Sequence, residues 1–187
     1  MSSVLLRRLA PCLLLLLLLP LFVFCEETEK ECHPGPGEDS VEAECRDTRN
    51  YDLCYKTLMA DPDALRACAV DMSPPAVNIL LKNVTGTSKH TLRLIQETTD
   101  PTTRECLYAC NKLYKNVIHD LKVAVEAAKV YETLDVAEAA AINTGDNATE
   151  CENVFKKRRI ASPLTPWNHM LIELSGVVDD IISYALV

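Results

Sequence analysis

The chain has 187 residues, 48% hydrophobic and 25% charged, with 27 acidic against 19 basic side chains and a formal net charge of -8. An acidic chain lacks the basic face that neutralises phosphates, which argues against nucleic acid as a partner and leaves a basic protein open. Nine cysteines in such a chain point to an oxidising compartment.

Arg7 and Arg8 precede an apolar run with leucine at every position from Leu13 to Leu19, interrupted by Pro20 and followed by acidic residues from Glu26. This reads as a secretory signal over residues 1–25, too short and too broken for a comfortable membrane span. Cleavage near Cys25 also removes Cys12 and leaves about 160 residues, enough for one domain, with a net charge of about -10. Residues 26–40 contain Pro-Gly-Pro-Gly and no apolar period, and read as a mobile acidic tail.

From residue 41 the only glycines are Gly86, Gly145 and Gly176, and alternating β-branched runs are missing. The pattern is all-α. The stretch CRDTRNYDLCYKTLMADP, from Cys45, predicts two short helices meeting at Thr48 to Asn50, so residues 41–70 form a helical hairpin. A helix then runs from Asp71 to Glu97, with Pro74 and Pro75 near its first turn and Val77, Leu80, Val84, Thr91 and Leu94 inward; its polar middle, NVTGTSKHT, is the weak part. Asp100-Pro101 supplies a cap and a first-turn proline for the clearest helix, Thr102 to Tyr131. Its inward stripe is Leu107, Cys110, Tyr114, Val117, Leu121, Ala124 and Ala128. The segment Leu134 to Lys157 is Ala-rich up to Ile142 and reads as broken or bent at NTGDN. Ser162-Pro163 through Pro166 ends it, and Leu171, Leu174, Val178, Ile181 and Ala185 line the last helix. Two aspartates in VVDDIISYALV argue against a C-terminal anchor, so no membrane association is expected after signal cleavage. Four amphipathic segments with short connections make residues 71–187 an up-down-up-down four-helix bundle preceded by the hairpin.

After signal removal Cys32, Cys45, Cys54, Cys68, Cys106, Cys110 and Cys151 remain, an odd set. A bond between Cys110 and Cys151 would tie adjacent antiparallel helices and stabilise by about 4 kcal/mol in the chain-entropy model. One between Cys45 and Cys54 closes a smaller loop, about 2.7 kcal/mol, and would hold a hairpin too short to persist alone.

These residues carry a resemblance. Cys45-x8-Cys54 followed by KTLMADP, then Cys110-x3-Tyr114, ECENVF from Glu150 and IELSGVV from Ile172 resemble the plant invertase and pectin methylesterase inhibitor family over about residues 41–187. The resemblance implies that Cys45 pairs with Cys54 and Cys110 with Cys151, that a disulfide-stapled hairpin precedes the bundle, and that the protein inhibits a cell-wall or vacuolar carbohydrate enzyme. CRDTRNYDLCYKTLMAD and GDNATECENVF are closer to the invertase-inhibitor side, which implies a secreted inhibitor occluding the active site of a plant acid invertase. A pectin methylesterase inhibitor and a non-inhibitory pollen-type relative are the alternatives.

Invertase inhibitors of the family commonly carry Pro-Lys-Phe where this chain, counted back from Cys151, has Leu134-Asp135-Val136. The family's lysine enters an acidic sucrose pocket, and Asp135 reverses that charge. The implied partner contacts are Leu134, Asp135 and Val136 with Asn50 and Tyr51 of the hairpin, on a monomer. Cys68 and Cys106 are additions to the family pattern and are expected to pair, leaving Cys32 over.

Other candidates have plain readings. His33, His90, His119 and His169 are scattered, without a neighbouring nucleophile, and read as surface histidines. Asp179-Asp180 and Glu150/Glu152 read as solvated helix faces. Cys106-x3-Cys110 has no matching histidines, so neither a metal nor another cofactor is expected, and the chain does not read as an enzyme. Lys156-Lys157-Arg158-Arg159 reads as the basic end of a helix, with a protease processing site and a patch for an acidic partner as the alternatives. Trp167, the only tryptophan, is expected to pack at the start of the last helix, or to anchor an interface if exposed. Asn83-Val-Thr and Asn147-Ala-Thr are glycosylation acceptors in form. A helical lipid carrier would show adjacent Cys-Cys or Cys-x-Cys pairs, and the chain has neither.

Overall fold

A computed structural model describes residues 35–186. The expected signal segment, Cys12, Cys25, Cys32, His33 and most of the expected tail lie outside the described residues. Among the described residues there are six α-helices and no strand. They are α1 (Glu38–Cys45), α2 (Tyr51–Met59), α3 (Ser73–Glu97), α4 (Pro101–Ala127), α5 (Leu134–Arg158) and α6 (Thr165–Ala185). Each long helix packs beside the next and α3 packs against α6, which closes the ring of an up-down-up-down bundle.

Short α1 and α2 form the hairpin. Helix starts before residue 40: Ser40 is buried, with its hydroxyl donating to Gly35 O at 2.9 Å, so the acidic tail is shorter than its composition suggests. The Asn50 side chain caps α2 by accepting from Leu53 N at 3.2 Å. Asp61 then organises the connection to α3, accepting from Asp63 N and Ala64 N at 2.9 and 3.3 Å and from Lys82 Nζ at 2.7 Å.

Proline in the first turn starts α3, α4 and α6, and at α4 Asp100 also accepts from Thr103 N at 2.6 Å. The core is built by the stripes of the long helices: Val77, Leu80, Leu107, Leu121, Leu171 and Ile181 are all buried. Each such side chain contributes about 1.5–3 kcal/mol. The basic run ends α5 as a helix end, with Arg159 in the left-handed region at φ 58 and Lys157 and Arg158 paired to Glu150 and Glu105.

Two segments that look weak in sequence are continuous helix. The polar middle of α3 holds because its buried side chains bond inward: Thr87 and Thr91 hydroxyls donate to carbonyls one turn back, and Ser88 Oγ donates to Asn111 Oδ1 of α4 at 2.9 Å. NTGDN does not break α5. Gly145 is there for proximity, since a Cβ on it would lie 2.5 Å from Ser175 Oγ of α6.

The expected Cys68–Cys106 bond does not form. Cys106 is a buried free thiol, and Cys68 is in a disulfide whose other half lies outside the described residues. The bundle topology explains it. Cys68 precedes the start of α3 and Cys106 follows its end, so a helix roughly 37 Å long separates them, whereas a disulfide needs Cα atoms within about 7 Å.

Two of the mid-helix glycines, Gly86 and Gly145, then behave differently. Gly86 has open space where a Cβ would go, so Gly86→Ala stabilises by about 0.5–1 kcal/mol in thermal melts. Gly145→Ala gives no such gain alone and recovers it in a Ser175→Ala background; equal gains in both backgrounds would contradict the close contact.

Candidate functional site

Hairpin and bundle meet through Arg49. Its Nε donates to Asp180 Oδ2 at 2.9 Å, and its Nη2 donates to Asp180 Oδ1 at 2.6 Å and Asp179 Oδ2 at 2.8 Å. The Arg49 backbone N–H adds a bond to Asp180 Oδ2 at 2.7 Å. Asp179 and Asp180 are thus not simply a solvated face; they grip the hairpin turn. Gly176 makes room, because a Cβ there would lie 2.9 Å from Arg49 Cδ and Nη1. One residue on, Asn50 Nδ2 donates to Glu173 Oε2 at 3.2 Å.

The aspartates are not equivalent. Burial pushes both carboxyls up. For Asp180 the side-chain and backbone hydrogen bonds from Arg49 outweigh it and hold the group below the usual range. For Asp179 the single Arg49 bond does not, and the charges of Glu138 and Asp180 add to burial. The Asp180 hydrogen bond in turn raises the pKa of Arg49, against some desolvation.

The other expected contacts arrive on an adjacent face of the same helix end. Ser183 Oγ donates to Glu138 Oε1 at 2.8 Å, and Tyr131 OH donates to Leu186 O at 3.4 Å, so the start of α5 lies against the end of α6. Asp47 of the hairpin turn meets the hydroxyl of Tyr184. The structure therefore brings the hairpin turn and residues 130–138 to one end of the bundle, joined by Asp179, with Val136 turned to the α4 side among His119, Asp120 and Val123. The expected contacts differ in availability. Asp135, Val136 and Tyr51 are exposed, Leu134 is buried in the core, and Asn50 is half-buried and occupied as a helix cap. Tyr131, 62% exposed, and Tyr184, 54% exposed, add aromatic surface that the sequence did not single out. Arg49 was missed as well. Its one signal was Gly176, a rare glycine inside a well-patterned helix, which marks a close approach.

Two disulfides stiffen this arrangement. Cys45–Cys54 joins α1 to α2 with Cα atoms 5.5 Å apart, and Cys110–Cys151 joins α4 to α5 at 4.9 Å. Around the second, buried Tyr114 bonds Asn168, and Asn168 Nδ2 donates to Glu152 Oε1 at 2.5 Å and Cys151 Sγ at 3.2 Å. Glu152 thus belongs to this network. Burial pushes the Tyr114 hydroxyl up and keeps it a neutral donor. Among the described residues no cluster of His, Cys, Asp or Glu could hold a metal ion, and no helix is long and apolar enough to cross a membrane. His119 and His169 are exposed, while His90 is half-buried under Trp167.

A family model described as plant invertase/pectin methylesterase inhibitor matches residues 39–187, and the chain belongs to that family. It is similar to a protein described as "Putative invertase inhibitor" from Platanus orientalis, 28% identical over 131 residues that cover 68% of this chain and 75% of the relative. It is also similar to the "Cell wall / vacuolar inhibitor of fructosidase 1" of Arabidopsis thaliana, 28% identical over 140 residues that cover 73% of this chain and 64% of the relative. Among solved structures, a pectin methylesterase inhibitor from Arabidopsis thaliana matches with a TM-score of 0.48 at 18% identity, covering 79% of this chain and 92% of that one.

Because Asp180 takes three of the four bonds from Arg49, Asp180→Asn loosens the hairpin more than Asp179→Asn. Cleavage after Lys56 by trypsin is expected to accelerate about tenfold in the first variant and less in the second; equal rates would contradict the division of bonds. A second expectation concerns Glu44 of α1, whose carboxyl burial pushes from 4.5 up to about 7. The folded value lies above the unfolded one, so the fold prefers the neutral form. Its contribution is full below about pH 4.5 and is lost as pH rises through about 7. Glu44→Gln should flatten the fall in melting temperature across that window; an unchanged slope would contradict it.

Proposed function

We propose that the protein is exported to the cell wall or vacuole and, as a monomer without turnover, inhibits a plant acid invertase by covering the mouth of its active site. The observation that carries this reading is the meeting of the hairpin turn and the start of α5 on the end of α6. It produces one stiff edge with exposed Tyr131 and Tyr184, flanked by Tyr51 at the start of α2 and by Val136 on the neighbouring α4–α5 side. Rigid aromatic side chains are effective anchors, because they bury large area at small entropic cost. The relatives named as inhibitors of invertase and of fructosidase support the same target.

Asp135 favours a second reading. It is exposed, in the first turn of α5 with Glu138 one turn on, where the family's invertase inhibitors place a cation. An acidic pocket would repel it, which keeps pectin methylesterase inhibition, or loss of inhibition, in play.

Titration of purified protein into an acid invertase and into a pectin methylesterase at acidic pH separates these readings. The expected result is stoichiometric loss of invertase activity with the esterase untouched; loss of esterase activity alone assigns the second target, and loss of neither refutes an inhibitor. Asp135→Lys reverses the charge without disturbing buried Leu134. It should lower the inhibition constant for invertase about tenfold, roughly 1.4 kcal/mol; an unchanged or higher constant would remove residue 135 from the contact.

A further inference from the structure

Asn83-Val84-Thr85 is a complete acceptor tripeptide on α3, well away in the fold from the start of α5 and close to α2. Asn83 is half-buried on α3, and its Nδ2 donates to Ile79 O at 2.9 Å. An amide nitrogen carries two hydrogens, so a sugar can replace one and leave that bond in place. Asn83 and Met170 of α6 line one open depression of about 350 Å³ beneath α2. His90 lies two turns further along the same face of α3, and its ring stacks on Trp167 with centroids 4.5 Å apart. Trp167 and Met170 are neighbours one turn apart on α6 and are 41% and 44% exposed. Asn83, Met170, Trp167 and His90 are therefore the corners of one strip along the seam between α3 and α6.

We propose that Asn83 carries an N-linked glycan whose first pyranose rings lie along this strip, with their C–H faces against Met170 and Trp167. One face of the Trp167 ring is already against His90, and the rest is presented to solvent beside the acceptor. Pyranose rings have an apolar face of the right size for an indole and a polar rim that stays in water, which suits an exposed apolar strip better than a dry protein contact does. A glycan here covers the α3–α6 seam up to α2 and leaves the hairpin turn and the start of α5 open. The proposal rests on the export reading, since glycan addition takes place in the secretory route.

The test uses the chain secreted from a glycosylating host behind a heterologous leader, with occupancy at Asn83 and Asn147 read by peptide mass. Because the chain has a single tryptophan, its fluorescence reports on the strip alone. Enzymatic removal of the glycan from the folded protein is expected to shift emission to the red and raise iodide quenching about twofold. Thr85→Ala, which keeps Asn83 but abolishes the acceptor, should give the deglycosylated spectrum without enzyme, and Thr85→Ser should behave as wild type. An occupied Asn83 with unchanged Trp167 fluorescence overturns the packing, and an empty Asn83 beside an occupied Asn147 overturns the modification. Failure of export is read separately, as a reporter behind residues 1–25 that stays in the cytosol, and it overturns the proposal for the native chain.

Discussion

The grip of Asp179 and Asp180 on Arg49 is the interaction on which the shape of the candidate surface depends. Helices of eight and nine residues do not persist alone. The Cys45–Cys54 bond holds them to each other, but a stapled hairpin without a dock could still swing on its connection to α3. Arg49 removes that freedom by placing a planar guanidinium on one carboxylate, with a second carboxylate and its own backbone N–H completing the set. The side chain is 53% exposed, so each ion pair contributes little alone; geometry and the shared backbone bond give the dock its value.

The bundle beneath is rigid for a different reason. A covalent link between α4 and α5 is buried with a tyrosine and an asparagine, and a half-buried carboxylate completes the bonds around the sulfur. A network of this kind is costly unless every member is paired, and no buried side-chain N or O lacks a partner among the described residues. Asn168 and Glu152 reach it from α6 and α5, so three helices are fixed near one point. The proposed edge at the other end of α5 and α6 inherits that stiffness, and a stiff edge loses little entropy when it docks.

Much of this is readable from residues alone, and the failures have physical causes. The helical stripes from Leu107 to Ala128 and from Leu171 to Ile181 are buried as their spacing requires, because period alone decides which face of a helix meets the core. The polar middle of α3 misleads because composition cannot show that Ser88 has Asn111 opposite it. NTGDN misleads because a glycine that weakens an isolated helix can also let two helices approach, and only tertiary contact tells these apart. The Cys68–Cys106 expectation fails on an argument that was available: in an up-down bundle the start of one long helix and the start of the next lie at opposite ends. Arg49 was hidden because its partners are some 130 residues away in sequence. The contact segment at Leu134-Asp135-Val136 came from the family resemblance, and only coordinates could show that Leu134 points inward while its neighbours do not.

The central claim is that the hairpin turn and the start of α5 act together as the edge that meets a target. Hydrogen–deuterium exchange of the protein alone and in a one-to-one mixture with an acid invertase addresses it directly. The account predicts slowed exchange in two separate stretches, around Asp47 to Tyr55 and around Val130 to Glu138, with the α3–α6 seam at His90 and Trp167 unchanged. Protection confined to that seam, or to neither stretch, would contradict it.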